Sequence, residues 1–208
     1  MSGEAAGARL YLVRHGAPAE WSAGRCCGRT DVPLSAAGLA SADRLAAAFA
    51  AAGVDAVYSS PRRRATETAS RIASAAGTDV SCLDGLAEID FGAFEGRAFQ
   101  EIAAASPELY DRWMSEPAAV RFPGGESYAD VKLRATAALR EIISRHGGAR
   151  LVAVAHAGSI RAILGAVLEI PDHAIFRLDV ALASVSVVDW MGEVPVVRGI
   201  NLDAPHGG

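Results

Sequence analysis

The sequence predicts an α/β fold, a three-layer αβα sandwich around a mostly parallel central sheet. Three observations point to it. Short runs that are apolar at consecutive positions, such as 10–13 and 151–155, suit strands buried on both faces of a parallel sheet. Segments with apolar residues at helical spacing alternate with those runs, the order expected of a sheet covered by helices. The 208 residues, 51% hydrophobic and 21% charged, suffice for one sizeable domain and differ from the composition of a disordered chain.

The strand at 10–13 stops at Arg14, His15 and Gly16, so polar chemistry begins where the strand ends. Ser35 can cap a helix whose Leu39, Ala42, Ala46 and Phe49 recur at helical spacing until Gly53 closes it. A strand over 56–58 follows. Ser60 and Pro61 read as a helix start, because proline at the first helical position loses no needed donor, and Arg64 falls in the first turn. Another strand is expected at 80–83. From about 85 to 125 glycine, proline and aromatic residues mix without one period, which predicts an irregular lid with short helices. Ser127 and Asp130 resemble a capping box ahead of a helix with Tyr128, Val131, Ala135, Ala138 and Ile142 on one face. The strand at 151–155 ends at His156, and Gly158 opens a helix with Ile160, Ile163, Leu164 and Val167 inward. Two β-rich segments, 183–190 and 194–200, complete a single domain over 1–208. No fixed-period repeat is present, and the Gly/Ala start and Gly-Gly end predict frayed termini.

Lys plus Arg number 20 against 24 Asp plus Glu, so no global field attracts a polyanion, and nucleic acid is not an expected partner. The N-terminus lacks the basic start and apolar run of a secretory signal, and no stretch is apolar for a bilayer's width. A cytoplasmic protein without a membrane partner is expected. Cys26, Cys27 and Cys82 form neither an even disulfide framework nor a zinc pair. His146, His173 and His206 make no paired ligand motif with nearby carboxylates, so neither a metal nor a cofactor is expected. An apolar strand edge in the C-terminal half could serve a homodimer or pack internally, and both readings stay open.

Two buried-type strands thus end in a histidine, and ligand sites in open α/β sheets gather at the carboxyl ends of strands, so His15 and His156 can meet. Around them lie LVRHG at 12–16, CGRTDVPLSAAG at 27–38, SSPRRRATETA at 59–69, LAEIDFGAFEG at 86–96, PGGES at 123–127 and VAHAG at 154–158. In this ordered set the sequence resembles the histidine phosphatase superfamily, with its phosphoglycerate mutase-like fold. The resemblance implies His15 as nucleophile, Arg14 and an arginine after the SSP turn as phosphate ligands, Glu88 as proton donor and His156 as second pocket histidine. It places that arginine directly before the alanine leading to Thr-x-Thr-Ala, hence Arg64. Arg62 and Arg63 then belong to a solvated helix start, and Thr68, one turn on, would support Arg64.

The chemistry needs these parts. A phosphate ester resists attack because its oxygens are anionic, so a site must offset that charge, present an in-line nucleophile and protonate the departing alkoxide. Neutral imidazole is a capable nucleophile, and a phosphohistidine divides one hard displacement into two easier ones. The planar fork of Arg14 suits bidentate contact with phosphate oxygens, which lysine would reproduce poorly. Glu88 lies between apolar Leu86 and Ile89. Backbone amides at the start of the helix after His156, Ala157 first, should bind a phosphate oxygen. The loop 17–31 should form another wall, with Cys27 and Gly28 close to a small phosphorylated metabolite.

The expected activity is that of a metal-independent phosphomonoesterase. Phosphoglycerate mutases carry an asparagine where this register puts Trp21, and a longer segment between acid and second histidine than separates Glu88 from His156. Both departures favour phosphatase over mutase. The CGRTDVPLS and EIDFGAFEG segments resemble the α-ribazole-5′-phosphate phosphatase branch, while leaving-group recognition would fall to Trp21, Phe94, Phe99, Tyr110 and Trp113. Mutase-type phosphotransfer and a phosphate-dependent binding protein without turnover are the rival readings.

Overall fold

A computed structural model describes residues 7–205; the expected fraying of both ends, and His206, fall outside that range. The elements run β1 (Arg9–Arg14), α1 (Ala36–Ala50), β2 (Ala56–Ser59), α2 (Arg63–Ala76), β3 (Val80–Cys82), α3 (Phe99–Ala105), α4 (Pro107–Ser115), α5 (Tyr128–Arg145), β4 (Arg150–Ala155), α6 (Ala157–Val167), β5 (Val185–Met191) and β6 (Val194–Leu202). The six strands form one sheet in the order β3-β2-β4-β1-β5-β6. The pairs β1/β4, β2/β4 and β2/β3 are parallel, and β5 is antiparallel to both neighbours, so the expected mostly parallel αβα sandwich is what forms.

Side-chain alternation along β1 explains why its sequence is apolar throughout. Leu10 and Leu12 join a core cluster with α5 and α6, whereas Tyr11 and Val13 join a second one with α1 and α2. Both faces of the strand are covered, so neither set can be polar. Tyr11 meets Phe49 of α1 edge-on, ring centroids 5.2 Å apart. Residues 85–125 form a third cluster of their own, in which Phe91, Phe94, Trp113 and Phe122 pack with Ile102 and Cys26. The segment holds α3, α4 and short 3-10 turns, as its mixed composition predicts.

Local signals set most boundaries. The Ser35 hydroxyl accepts the Gly38 N–H at the start of α1. The Asp130 carboxylate accepts both the N–H and the O–H of Ser127 at the start of α5, at 2.7 and 2.6 Å, completing the capping box. Helix α1 ends at Ala50, ahead of Gly53, which takes a left-handed conformation in the following turn. The expected start of α2 at Ser60 and Pro61 is corrected to Arg63. The Ser60 N–H extends the ladder by donating to the Val154 carbonyl, and its hydroxyl accepts the Arg62 N–H, so these residues belong to the strand's exit rather than the helix. Among the described residues no helix is long and apolar enough to cross a membrane.

Candidate active site

Strand register brings the site together. Parallel pairing sets Arg14 opposite Ala155 and Ser59 opposite Val154, so His15, His156 and Ser60 leave three adjacent strands side by side. The His15 N–H donates to the Ala155 carbonyl, and the two imidazole centroids lie 4.9 Å apart. The turn after β1 must press against the start of α1. A Cβ on Gly16 would lie 2.5 Å from the Gly38 carbonyl oxygen, which explains the glycine.

The hydrogen bonds of His15 assign its tautomer. Nδ1 lies 2.7 Å from the Gly16 carbonyl oxygen, which can only accept, so Nδ1 carries the proton. Nε2 is then a lone pair, and it accepts the Arg64 Nε–H at 3.2 Å. Burial, then the positive charges of Arg64 and Arg14, push the imidazole down to about 3 against only the opposing Gly16 bond. His15 is therefore neutral across the physiological range.

Arg64 is 3% exposed and held by backbone carbonyls, Nη1 donating to Thr30 and Nη2 to Cys27 at 2.7 Å. Arg63 instead points outward to Glu67, so of this pair it is Arg64 that turns into the site. Thr68 accepts the Gly16 N–H and donates to the Arg64 carbonyl, tying α2 to the turn after β1. Arg14 donates to the Val180 carbonyl through Nη1, while its Nε is buried without a protein partner among the described residues. His156 is likewise buried, with Nε2 at 2.7 Å from the Ser60 hydroxyl and Nδ1 unpartnered. Burial first, then Arg64, His15 and Arg14, hold its pKa well below the usual value.

Glu88 closes the other side. Its carboxylate accepts the Ile89 N–H at 2.9 Å and the Gly158 N–H at 3.1 Å, at the start of α6. A Cβ on Gly158 would lie 2.1 Å from Glu88 Oε1, so any side chain there would push the carboxylate out of this position. Arg134 of α5 secures the approach to Glu88 by donating to the Gly85, Ala87 and Glu88 carbonyls while pairing with Glu126. Ala157, the first residue of α6, lines the same cavity, where first-turn N–H groups have no intrahelical partner. Gly158 is the exception, since Glu88 already takes its N–H.

Arg14, His15, Arg64, Glu88, Cys27 and Ala157 all line one cavity of about 780 Å³. Arg14 and Arg64 line it beside His15, Arg25 and Arg161 line it as well, and much of the remaining wall is apolar, Phe91, Phe99, Trp113, Phe176 and Leu182 among it. Among the described residues no three His, Cys, Asp or Glu side chains gather as a metal cage.

The sequence matches the histidine phosphatase superfamily (branch 1) over residues 10–203, a span containing the whole cluster. The chain belongs to the histidine phosphatase superfamily. It is 35% identical over 200 residues to phosphoserine phosphatase 1 of Hydrogenobacter thermophilus, covering 96% of this chain and 94% of that one. It is 36% identical over 186 residues to a bifunctional protein of Mycobacterium tuberculosis, covering 89% of this chain and 51% of the relative. The chain thus spans about half the length of such relatives. Its backbone resembles a mycobacterial glucosyl-3-phosphoglycerate phosphatase with a TM-score of 0.85 at 26% identity, covering 93% of this chain and 98% of the other.

For this superfamily member the structure brings His15, Arg14, Arg64 and Glu88 to one cavity wall as the motifs imply, with His156 packed against His15 but fully buried behind the lining, and it sorts the remaining expectations. Gly28 stands behind the cavity wall: its N–H donates to Glu95, and a Cβ there would lie 1.8 Å from the Ile89 carbonyl oxygen. Trp21 is 55% exposed and does not line the cavity, nor do Phe94 and Tyr110, whereas Phe99 and Trp113 do. Glu95, which the sequence reading did not single out, accepts the Gly28, Arg29, Thr30 and Phe91 N–H groups and the Thr30 hydroxyl. It thereby shapes the loop whose carbonyls hold Arg64. Ser60 was likewise missed as a partner for His156. A glutamate before Gly96 and a serine before proline are ordinary in sequence; only the folded contacts, Glu95 with the loop 28–30 and Ser60 with His156, reveal what they support.

Proposed function

We propose that this protein is a metal-independent phosphomonoesterase that works through a phosphohistidine on His15. The observation that carries the reading is the His15 tautomer: the Gly16 carbonyl fixes the proton on Nδ1 and leaves the Nε2 lone pair beside two arginines. A phosphoryl group between Arg14 and Arg64 would meet that lone pair, and the buried unpartnered atoms Arg14 Nε and His156 Nδ1 are polar groups that phosphate oxygens would satisfy.

In the first step an N–P bond forms at His15 Nε2 and the P–O bond to the alcohol breaks. The proton of the Glu88 carboxyl passes to the departing oxygen. In the second step water attacks phosphorus, the N–P bond breaks, and the Glu88 carboxylate takes the water's proton. Inorganic phosphate leaves and neutral His15 is restored. Arg14 and Arg64 offset the phosphoryl charge through both steps, and Ala157 adds a backbone donor at the α6 N-terminus. The segment 85–125 serves as a lid over the leaving group. The compact connection between Glu88 and His156 supports hydrolysis over mutase-type transfer, as does the likeness to a phosphoserine phosphatase. An α-ribazole-5′-phosphate is the narrower candidate that the CGRTDVPLS and EIDFGAFEG motifs favour.

The test is a phosphomonoester panel including p-nitrophenyl phosphate, α-ribazole-5′-phosphate, phosphoserine and 3-phosphoglycerate, assayed with EDTA present. His15→Ala should abolish turnover and acid-labile phosphoenzyme. Glu88→Gln should slow alkyl esters by about 10²-fold or more and p-nitrophenyl phosphate far less, because a good leaving group needs little protonation. Equal losses on both ester types would remove Glu88 as the acid. Turnover surviving in His15→Ala would overturn the phosphohistidine.

A further inference from the structure

Nine large apolar side chains are exposed among the described residues, and three of them, Phe99, Phe176 and Leu182, line the active-site cavity. They come from α3, from the turn Asp172–Arg177 and from the approach to β5, segments distant in the chain. Phe99 is 37% and Phe176 38% exposed, so neither is needed to fill the cores beneath. Trp113 of α4 stands between them, its ring centroid 5.9 Å from Phe99 and 6.5 Å from Phe176. Phe91 backs the same ring at 5.8 Å. Arg161 holds Phe176 in place, its Nε donating to the Leu178 carbonyl and its guanidinium lying 5.8 Å from the Phe176 ring centre.

A concentration of water-exposed aromatic surface inside a concave site is costly in the free protein and is recovered when an apolar ligand covers it. The cavity, about 780 Å³, has the size of sites that enclose a drug-sized molecule, and a phosphoryl group held by Arg14 and Arg64 would fill only the part beside His15. A small zwitterionic alcohol such as serine would leave the aromatic wall wet. We propose that the outer cavity is a leaving-group subsite for phosphomonoesters of bulky apolar alcohols, with the ring or chain of the alcohol seated against Trp113 between Phe99 and Phe176. The inference rests on the phosphatase reading and adds the class of substrate to it.

The test compares ethyl phosphate with 2-phenylethyl phosphate, two primary-alcohol esters that differ in an aromatic ring. The ratio of their kcat/KM values should favour the phenyl ester by about tenfold to a hundredfold, the range set by burying one apolar group in a fitted pocket. Phe176→Ala and Phe99→Ala should each bring the ratio toward one. Leu133→Ala, at an exposed position of α5 outside the cavity, should keep it. A ratio near one in the wild-type protein, or faster turnover of phosphoserine or 3-phosphoglycerate than of the phenyl ester, would overturn the subsite while leaving the phosphatase standing. The second result would assign Arg161 to a substrate carboxylate instead. Absence of His15-dependent phosphate release from every ester would remove both.

Discussion

At the residue scale, the state of one imidazole governs both reactivity and acid stability. Burial first, then the charges of Arg64 and Arg14, hold His15 at about 3, whereas in the unfolded chain it titrates near the ordinary imidazole value of 6.5. Between those values the unfolded state binds more protons than the native state, so stability is complete above about 6.5 and is lost as pH falls toward about 3. The slope from this one group approaches about 1.4 kcal/mol per pH unit within that window. His156 adds a loss of the same sign. Urea unfolding of the free protein at about pH 5 and about pH 7 should therefore show a clear difference, and His15→Asn should flatten it. Equal pH dependence in the two proteins would mean that His15 is not held neutral by its surroundings.

At the scale of elements, the site depends on loops fastened to rigid strands and helices. Arg64 projects from α2, but its orientation comes from the carbonyls of Cys27, Gly28 and Thr30. That loop is in turn shaped by Glu95, which accepts five hydrogen bonds and whose carboxyl is held below its usual value by the Thr30 hydroxyl and the Arg29, Thr30 and Phe91 amides, against the opposing effect of burial. Glu95→Ala should free the loop, lower stability by about 1–3 kcal/mol and weaken competitive inhibition by inorganic phosphate about tenfold. Glu95→Gln, which keeps one acceptor oxygen, should recover part of the phosphate affinity. Unchanged phosphate inhibition in folded Glu95→Ala would show that Arg64 needs no such fastening. The same dependence explains the glycine of the VAHAG segment, since any side chain at Gly158 would displace Glu88.

At the scale of the whole molecule, apolar residues fall into two populations with different work. Phe49 is fully buried against Tyr11, on the helix layer that covers one sheet face. Phe49→Ala should cost about 3–5 kcal/mol in denaturant unfolding while the residual folded protein keeps its ester selectivity. Phe176 and Phe99, lining the cavity mouth, should show the converse, a changed selectivity with little loss of stability. A large stability loss in Phe176→Ala would place that ring in the structural population. The division follows from the sheet, whose two covered faces consume the regular apolar pattern and leave the irregular aromatic segment free to build a cavity wall.

The sequence by itself determined the layered α/β fold, since continuous apolar runs and capped helical patterns are local consequences of which face each residue must bury. It also pointed to a candidate set, His15 and His156 because they stand at strand ends, and Arg14, Arg64 and Glu88 because the motifs around them resemble those of the superfamily. Even there, the start of α2 was misplaced by two to three residues, as Ser60 follows the pull of β4 and His156 rather than its own helix-start chemistry. Tertiary structure alone decided that Glu95 shapes the Arg64 loop, that Gly28 lies behind the wall, and that Phe176 rather than Trp21 faces the cavity. The physical reason is range: helix capping and alternation act over a few residues, whereas the exposure of an aromatic ring or the partners of a carboxylate depend on segments brought together only by the register of β1, β2 and β4.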